Sequence, residues 1–293
     1  MAISNGTSIP KVQKAATVGE LGGPVELVDD YPVPQPGHDE VLAKVLYSGV
    51  CQSDLDTKSG TAMKPDGTPI TALKFPHVGG HEGVGRIIAL GPGCDPSINL
   101  GSLVGIRFAS RICRRCEYCL AGNEQHCVKS TNHLHHEDGS FQEYITLDAD
   151  YLMVLPGDVD PSLMGPVLCG GLTVYKACLN ANLKPGDWLV VFGAGGGLGH
   201  LAVQYGKAFG ARIIGVDGGA EKREFVLSLG VRKFVDFTTS PNVVQDIQRI
   251  TNGGAQAAIV AVGNPTAFTQ GAEALRIGGT LCCCGAWTGT STE

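Results

Sequence analysis

Trp188-Leu189-Val190-Val191-Phe192 is a continuous apolar run that meets Gly193-Ala194-Gly195-Gly196-Gly197-Leu198-Gly199 without a break. Leu198, Leu201, Ala202, Tyr205, Ala208 and Phe209 then recur at helical spacing. Residues 212–216 form a second apolar run that ends at Asp217. Strand, glycine turn, helix, strand and acid is the order of a dinucleotide-binding unit. A strict G-x-G-x-x-G is absent: counted from Gly193, Leu198 stands where the third glycine belongs, so the turn is one residue longer. The physics of the unit still holds. Glycines at a strand end bring backbone N–H groups to a pyrophosphate, and the helix N-terminus favours its charge. Asp217 would accept hydrogen bonds from an adenosine ribose and repel a 2′-phosphate, which favours NAD over NADP; the competing reading is a turn residue before Gly218-Gly219. Further strand candidates at 233–237, 257–263 and 280–285, separated by amphipathic segments, bring the count to five, where a full doubly wound sheet of this order has six.

Upstream the pattern is different. Gly79-Gly80-His81-Glu82-Gly83-Val84-Gly85 sets a histidine and a carboxylate among glycines that let backbone and ligand approach closely. A lone histidine is ordinarily a core or surface group, but Cys51 lies in Ser48-Gly49-Val50-Cys51-Gln52-Ser53-Asp54 and Cys169 in Leu168-Cys169-Gly170-Gly171-Leu172-Thr173. Two thiolates and an imidazole are a donor set that holds zinc and leaves its fourth position open for chemistry.

Eleven cysteines in a chain of 293 residues do not make a small disulfide-stapled fold. Cys113, Cys116, Cys119 and Cys127, spaced C-x2-C-x2-C-x7-C, read instead as a closed, structural zinc site. Cys94, Cys178 and Cys282-Cys283-Cys284 read as small apolar fillers, the last three on a buried strand. The formal charge of -6 excludes the electrostatic footprint of a nucleic-acid reader. With 43% apolar and 17% charged residues the chain is globular, and its length favours two domains. Residues 1–10 are polar, without the apolar run of a signal peptide, and no stretch reads as a membrane span, so the expected location is cytoplasmic.

Gly- and Pro-broken strands fill the first half, among them 41–47, 83–90 and 101–109. Residues 57–76 read as an irregular loop, and His133, His135 and His136 as part of a solvated one. After about residue 156 regular strand and helix alternation takes over.

With these residues assembled, the chain resembles the zinc-dependent medium-chain alcohol dehydrogenases, most closely the fungal, yeast-like branch. Val78-Gly79-Gly80-His81-Glu82-Gly83, Cys113-Arg114-Arg115-Cys116-Glu117-Tyr118-Cys119, Leu172-Thr173-Val174-Tyr175-Lys176-Ala177 and Leu201-Ala202-Val203-Gln204-Tyr205 follow its pattern in order, across essentially the whole chain. The resemblance implies an α/β protein with a GroES-like, mainly-β catalytic domain over residues 1–171 carrying two zinc ions, and a Rossmann NAD-binding domain, a doubly wound parallel sheet, over 172–293, with the active site in the cleft between them. It implies Cys51, His81 and Cys169 as catalytic zinc ligands with Glu82 as a transient one, Asp54 orienting His81, and Ser53 taking the alcohol's proton. Thr173 would lie near the nicotinamide and Lys222 near the ribose. The implied partner is a small alcohol or its carbonyl product, with no nucleic acid and no membrane; the family's full-length members are homo-oligomers.

Three departures stand out against that pattern. Asp56 occupies the position of a histidine that passes the proton onward, and Gln52 that of a basic residue facing the pyrophosphate, which points to an altered proton path and weaker coenzyme binding. The sequence ends at Glu293, so the sixth strand and the segment returning to the catalytic domain are expected to be missing; the fifth strand would then lie uncovered, with poor solubility or weak activity of the chain alone. The alternative function is a truncated, non-catalytic zinc protein of the same family. A zinc-free quinone reductase is a weaker one, since it gives Cys51, Cys169 and the four-cysteine lobe no purpose.

Overall fold

Residues of alternating exposure pair into antiparallel ribbons through the first part of the chain, and unbroken apolar strands alternate with helices through the second, which is the difference between sheets with one or two covered faces. The computed structural model describes residues 8–64 and 67–285, and the backbone of 3–4. The chain divides into two compact units, Met1–Cys169 and Gly170–Glu293.

In the first unit the strands are β1 (Ile3–Ser4), β2 (Val12–Val18), β3 (Val25–Pro32), β4 (Glu40–Ser48), β5 (Gly83–Leu90), β6 (Leu103–Ile106), β7 (Ala109–Arg111), β8 (Thr131–Asn132), β9 (Tyr144–Asp148) and β10 (Met153–Val154), with helices α1 (Gln52–Ser59), α2 (Glu117–Leu120) and α3 (Pro161–Pro166). The main sheet runs β10-β6-β5-β4-β9, with β1 also on β5. Val41, Leu42, Ala43, Ile87, Val104 and Ile106 are fully buried at its centre, each large side chain contributing about 1.5–3 kcal/mol on removal from water. The antiparallel register of β4 on β5 runs from Val41↔Leu90 to Ser48↔Gly83. Cys51 follows Ser48 by three residues and His81 precedes Gly83 by two, so the register alone brings both residues out at one end of the sheet.

The second unit contains α4 (Leu172–Asn180), β11 (Trp188–Phe192), α5 (Gly197–Ala208), β12 (Arg212–Asp217), α6 (Ala220–Ser228), β13 (Lys233–Asp236), α7 (Val243–Thr251), β14 (Ala255–Val260), α8 (Pro265–Glu273) and β15 (Leu275–Cys283). Its five described strands are parallel in the order β13-β12-β11-β14-β15. The chain moves outward from β11 to β13 and then returns to β14, which leaves a crevice beyond the strand ends. Leu189, Val191 and Ile259 pack against α5 residues Ala202 and Val203 on one face, while Val190, Phe192 and Val260 meet α7 and α8 on the other. A Cβ added at Gly199 would strike the Gly193 carbonyl, so a glycine here lets α5 start against the end of β11; it fills the third-glycine role one residue late.

Several expectations are corrected. Residues 57–59 are helical, because α1 begins directly after Cys51 and is closed by Gly60 in the left-handed region, φ 72°. The expected strand 101–109 is split at Arg107-Phe108. Cys283 is exposed while Cys282 is buried, since alternate residues of β15 face opposite sides and β15 is the edge among the described strands. Where the sequence leads one to expect no span, the helical run Pro161–Asn180 is long and apolar enough to cross a membrane by length and composition alone, and 33% of its 18-residue apolar window is buried.

Gly199→Ala should cost about 1–3 kcal/mol through overpacking against Gly193, whereas Gly197→Ala, which meets nothing within 4 Å, should be neutral or stabilising. Urea unfolding midpoints of the two variants check this, and equal midpoints would remove the packing argument.

Candidate metal centres and coenzyme crevice

Asp54 assembles the first centre. Its carboxylate is 8% exposed and accepts three hydrogen bonds, from the Cys51 N–H at 2.9 Å, the Gly80 N–H at 3.0 Å and His81 Nδ1 at 3.2 Å. A buried carboxylate without donors would be strongly unfavourable; here each bond also fixes a part of the site. With Nδ1 held, His81 presents Nε2, which lies 3.3 Å from Cys169 Sγ. Gly80, at φ 100°, cannot carry a side chain, because a Cβ would strike Ser140 and Phe141. Cys169 arrives on a single π turn, Val167–Gly171, a distortion frequent at functional sites. Cys51 and Cys169 Sγ atoms are 4.0 Å apart.

One donor atom from each of Cys51, His81, Glu82 and Cys169 falls within 4.8 Å of the others. Tetrahedral zinc with thiolate and imidazole ligands needs donor separations of about 3.6–3.8 Å, so small shifts suffice and the set fits the metal. The four side chains bear on one another's protonation. The hydrogen bond from Cys169 holds the Cys51 thiol down at about 3, while that same bond and burial push Cys169 up. Burial opposes the His81 imidazolium, but Asp54 and the Cys51 thiolate outweigh it and lift it to about 9. Burial, then the Cys51 charge, raises Glu82. Ser53 is exposed beside Cys51, its Oγ 3.7 Å from Sγ. The two departures meet each other: Gln52 Nε2 donates to Asp56 Oδ1 at 3.0 Å across one turn of α1.

Cys113, Cys116, Cys119 and Cys127 form a second cluster of the same tightness. Backbone N–H groups of Cys113 and Cys116 donate to Cys127 and Cys113 Sγ at 3.3 Å, and Cys116 and Cys119 Sγ are 3.5 Å apart. The Arg115 N–H leads in holding Cys113 down at about 6, and burial followed by Cys116 pushes Cys119 up to about 12. Arg114 ties the lobe to the end of β9 through Asp148 and Asp150, each at 2.7 Å. Four thiolates complete a closed tetrahedron.

In the second unit Gly193 and Asp217 line a crevice of about 740 Å³ with Phe192, Phe237 and Val262. Asp217 Oδ2 accepts the Gly195 N–H at 2.8 Å and Oδ1 the Gly218 N–H at 2.9 Å, while Lys222 Nζ donates to the Gly195 carbonyl at 2.7 Å. Gly196 precedes α5, and Gly197, Leu198 and Gly199 form its first turn. Thr173 stands on the exposed side of α4 and lines no part of that crevice.

Other neighbours of the first centre were not read from the sequence. His133 is buried, 2% exposed, and His135 half-buried, so the expected solvated loop is packed at these two positions and solvated at His136, with His133 Nδ1 on the Asp138 carbonyl at 2.9 Å. Phe108 stands edge-on to His81, and buried Thr57 bonds His135. Reading α1 as a helix exposes Thr57, four residues after Ser53; nothing in the sequence marks Phe108.

Two family models match the chain: "Alcohol dehydrogenase GroES-like domain" over residues 37–157 and "Zinc-binding dehydrogenase" over 197–293. An alcohol dehydrogenase of Schizosaccharomyces pombe is 36% identical over 275 residues, covering 94% of this chain and 76% of the relative. Among solved structures, an NAD-dependent alcohol dehydrogenase superposes with TM-score 0.83 at 28% identity over 94% of this chain and 79% of that one. The benzyl alcohol dehydrogenase of Acinetobacter calcoaceticus does so with TM-score 0.84 at 29% identity over 97% and 79%.

Replacing Cys116 with Ser should remove one zinc per chain and lower stability, because a four-thiolate site contributes to folding. Elemental analysis and thermal melting read both; unchanged metal content would sink the structural assignment.

Proposed function

The chain belongs to the zinc-dependent medium-chain alcohol dehydrogenases, and from that premise we propose that it oxidises a small alcohol with NAD, or reduces the corresponding aldehyde or ketone. The observation that carries this is the Cys51, His81, Glu82 and Cys169 donor set, its histidine oriented by a buried carboxylate. When bound, zinc supplies a Lewis acid that acidifies an alcohol hydroxyl, and NAD supplies the hydride acceptor.

This chain's own residues do the rest. Cys51, His81 and Cys169 hold the metal, and Glu82 is at hand as a transient ligand. Asp54 keeps the proton of His81 on Nδ1, so that Nε2 faces the metal. The Ser53 hydroxyl accepts the alcohol's proton as it releases its own toward solvent, and the Asp56 carboxylate, bonded to Gln52, stands on the same helix. Gly193 to Gly199 receive the pyrophosphate at the start of α5. Asp217 and Lys222 read the ribose, and Thr173 stands by the nicotinamide. Support for NAD over NADP comes from the Asp217 carboxylate, pinned by two N–H groups where a 2′-phosphate would meet its charge. The relatives matched over nearly the whole chain are alcohol dehydrogenases, which disfavours the non-catalytic alternative.

Metal analysis combined with NAD reduction over an alcohol panel tests the reading, and a protein holding zinc that reduces no NAD with any alcohol would end it. Cys169→Ala should abolish turnover and leave NAD affinity within about twofold, as the coenzyme residues are untouched; full oxidation by a variant of verified zinc content would refute the ligand role. Asp217→Ala should narrow the preference for NAD over NADP by about tenfold or more. Titration with both coenzymes decides this, and undiminished discrimination would leave Asp217 a turn residue.

A further inference from the structure

Beside the first metal centre stand two rings that none of the roles above uses. His81 and Phe108 meet edge to face, centroids 6.2 Å apart and planes at 86°, and Phe108 meets His135 in the same way at 6.2 Å and 80°. Phe108 is 46% exposed, so its ring bounds open space instead of filling the core. His135 is half-buried, and its Nε2 lies 3.3 Å from the Thr57 hydroxyl, which is itself fully buried. Asp54 and Thr57 are the buried residues of α1 and lie one turn apart. Asp54 holds the His81 ring and Thr57 the His135 ring, so both imidazoles stand on the buried side of α1. Thr57 engages one ring nitrogen and fixes the ring, which leaves Nδ1 to a ligand. Burial, followed by the neighbouring histidines, holds His135 down at about 4, so at neutral pH it is an uncharged hydrogen-bonding group.

Resting on the dehydrogenase reading, we propose that His135 is a specificity-determining residue: it hydrogen-bonds a second polar group of the substrate several carbons from the reacting carbinol, while Phe108 packs on the methylenes between. The preferred substrates are then bifunctional alcohols, such as terminal diols, over simple alkanols of the same length. Thr57 acts through His135 as a positioning residue. A polar site that loses its partner discriminates more strongly than an apolar one that loses a methylene, so the preference is readable in a short homologous series.

The test uses the full chain loaded with zinc. The parent should show a higher kcat/KM for butane-1,4-diol and hexane-1,6-diol than for butan-1-ol and hexan-1-ol. His135→Phe should lower the diol-to-alkanol ratio by about three- to tenfold, the worth of one hydrogen bond. Thr57→Val should lower it part of the way, and His135→Gln, which keeps a hydrogen-bonding group, should restore most of it. Independently of turnover, the ring-nitrogen NMR signals of His135 in the NADH-saturated parent, where an alcohol finds no hydride acceptor, should shift on addition of diol and not of alkanol. An unchanged ratio in His135→Phe together with ring signals indifferent to the diol overturns the role of His135 while leaving the dehydrogenase reading intact. A zinc-containing parent that oxidises neither class overturns both.

Discussion

The carboxylate of Asp54 is the constraint on which the first centre depends. Three donors from two separate stretches converge on it: the Cys51 N–H at the start of α1, and the Gly80 N–H and His81 ring in the turn before β5. A buried charge is tolerated because all three are present. Loss of the carboxylate would therefore do more than weaken one ligand. It would free the entry of α1, the glycine turn and the tautomer of His81 together, and these are the three parts that must agree for two ligands to point at one metal.

That carboxylate only finishes what the sheet begins. The β4 and β5 register sets the two stretches side by side, and the packed aliphatic residues behind them make a one-residue slip prohibitive, since every side chain would change face. The glycines flanking His81 are read most economically as clearance. Ser140 and Phe141 pass directly over Gly80, and Ser140 with Ile106 lies over Gly83, so larger residues would push the turn off its neighbours and the histidine away from Cys169. Cys169 reaches the same point by a different device, the π turn between α3 and α4, which carries one extra residue per turn and so re-aims a side chain without ending the helical path.

Both cysteine-containing clusters and the strand, turn, helix and acid order were legible in the sequence, because each depends on residue types that have few other uses at that spacing. The glycine turn shows why a count alone misleads. Measured against the strict motif it is too long, yet Gly199 meets the steric demand of the third glycine, since the Gly193 carbonyl occupies the space a Cβ would take. What was not legible came from long-range contact. The Phe108 ring reaches His81 across the break between β6 and β7, His133 is buried by a loop that looks polar, and α1 is short, with Asp54 and Thr57 its buried residues. No local period announces any of these. Cys283 illustrates the reverse error: three consecutive cysteines suggested a buried strand, but period-two alternation turns the middle one outward.

The two cysteine-rich centres also differ in the charge they would confer on the same ion, and this separates their roles more sharply than ligand count does. Four thiolates leave a divalent cation doubly negative, so its electrophilicity is spent, and the nearby backbone N–H groups and Arg114 are what such an anionic lobe requires. Two thiolates and a neutral imidazole leave the ion electroneutral, with a vacant position that still draws electron density from an oxygen ligand. Glu82 bears on that balance. As a fourth ligand its carboxylate would return a negative charge to the metal and weaken its pull on a hydroxyl. Burial, then the Cys51 charge, raises the Glu82 carboxyl, which disfavours a second negative charge beside that thiolate.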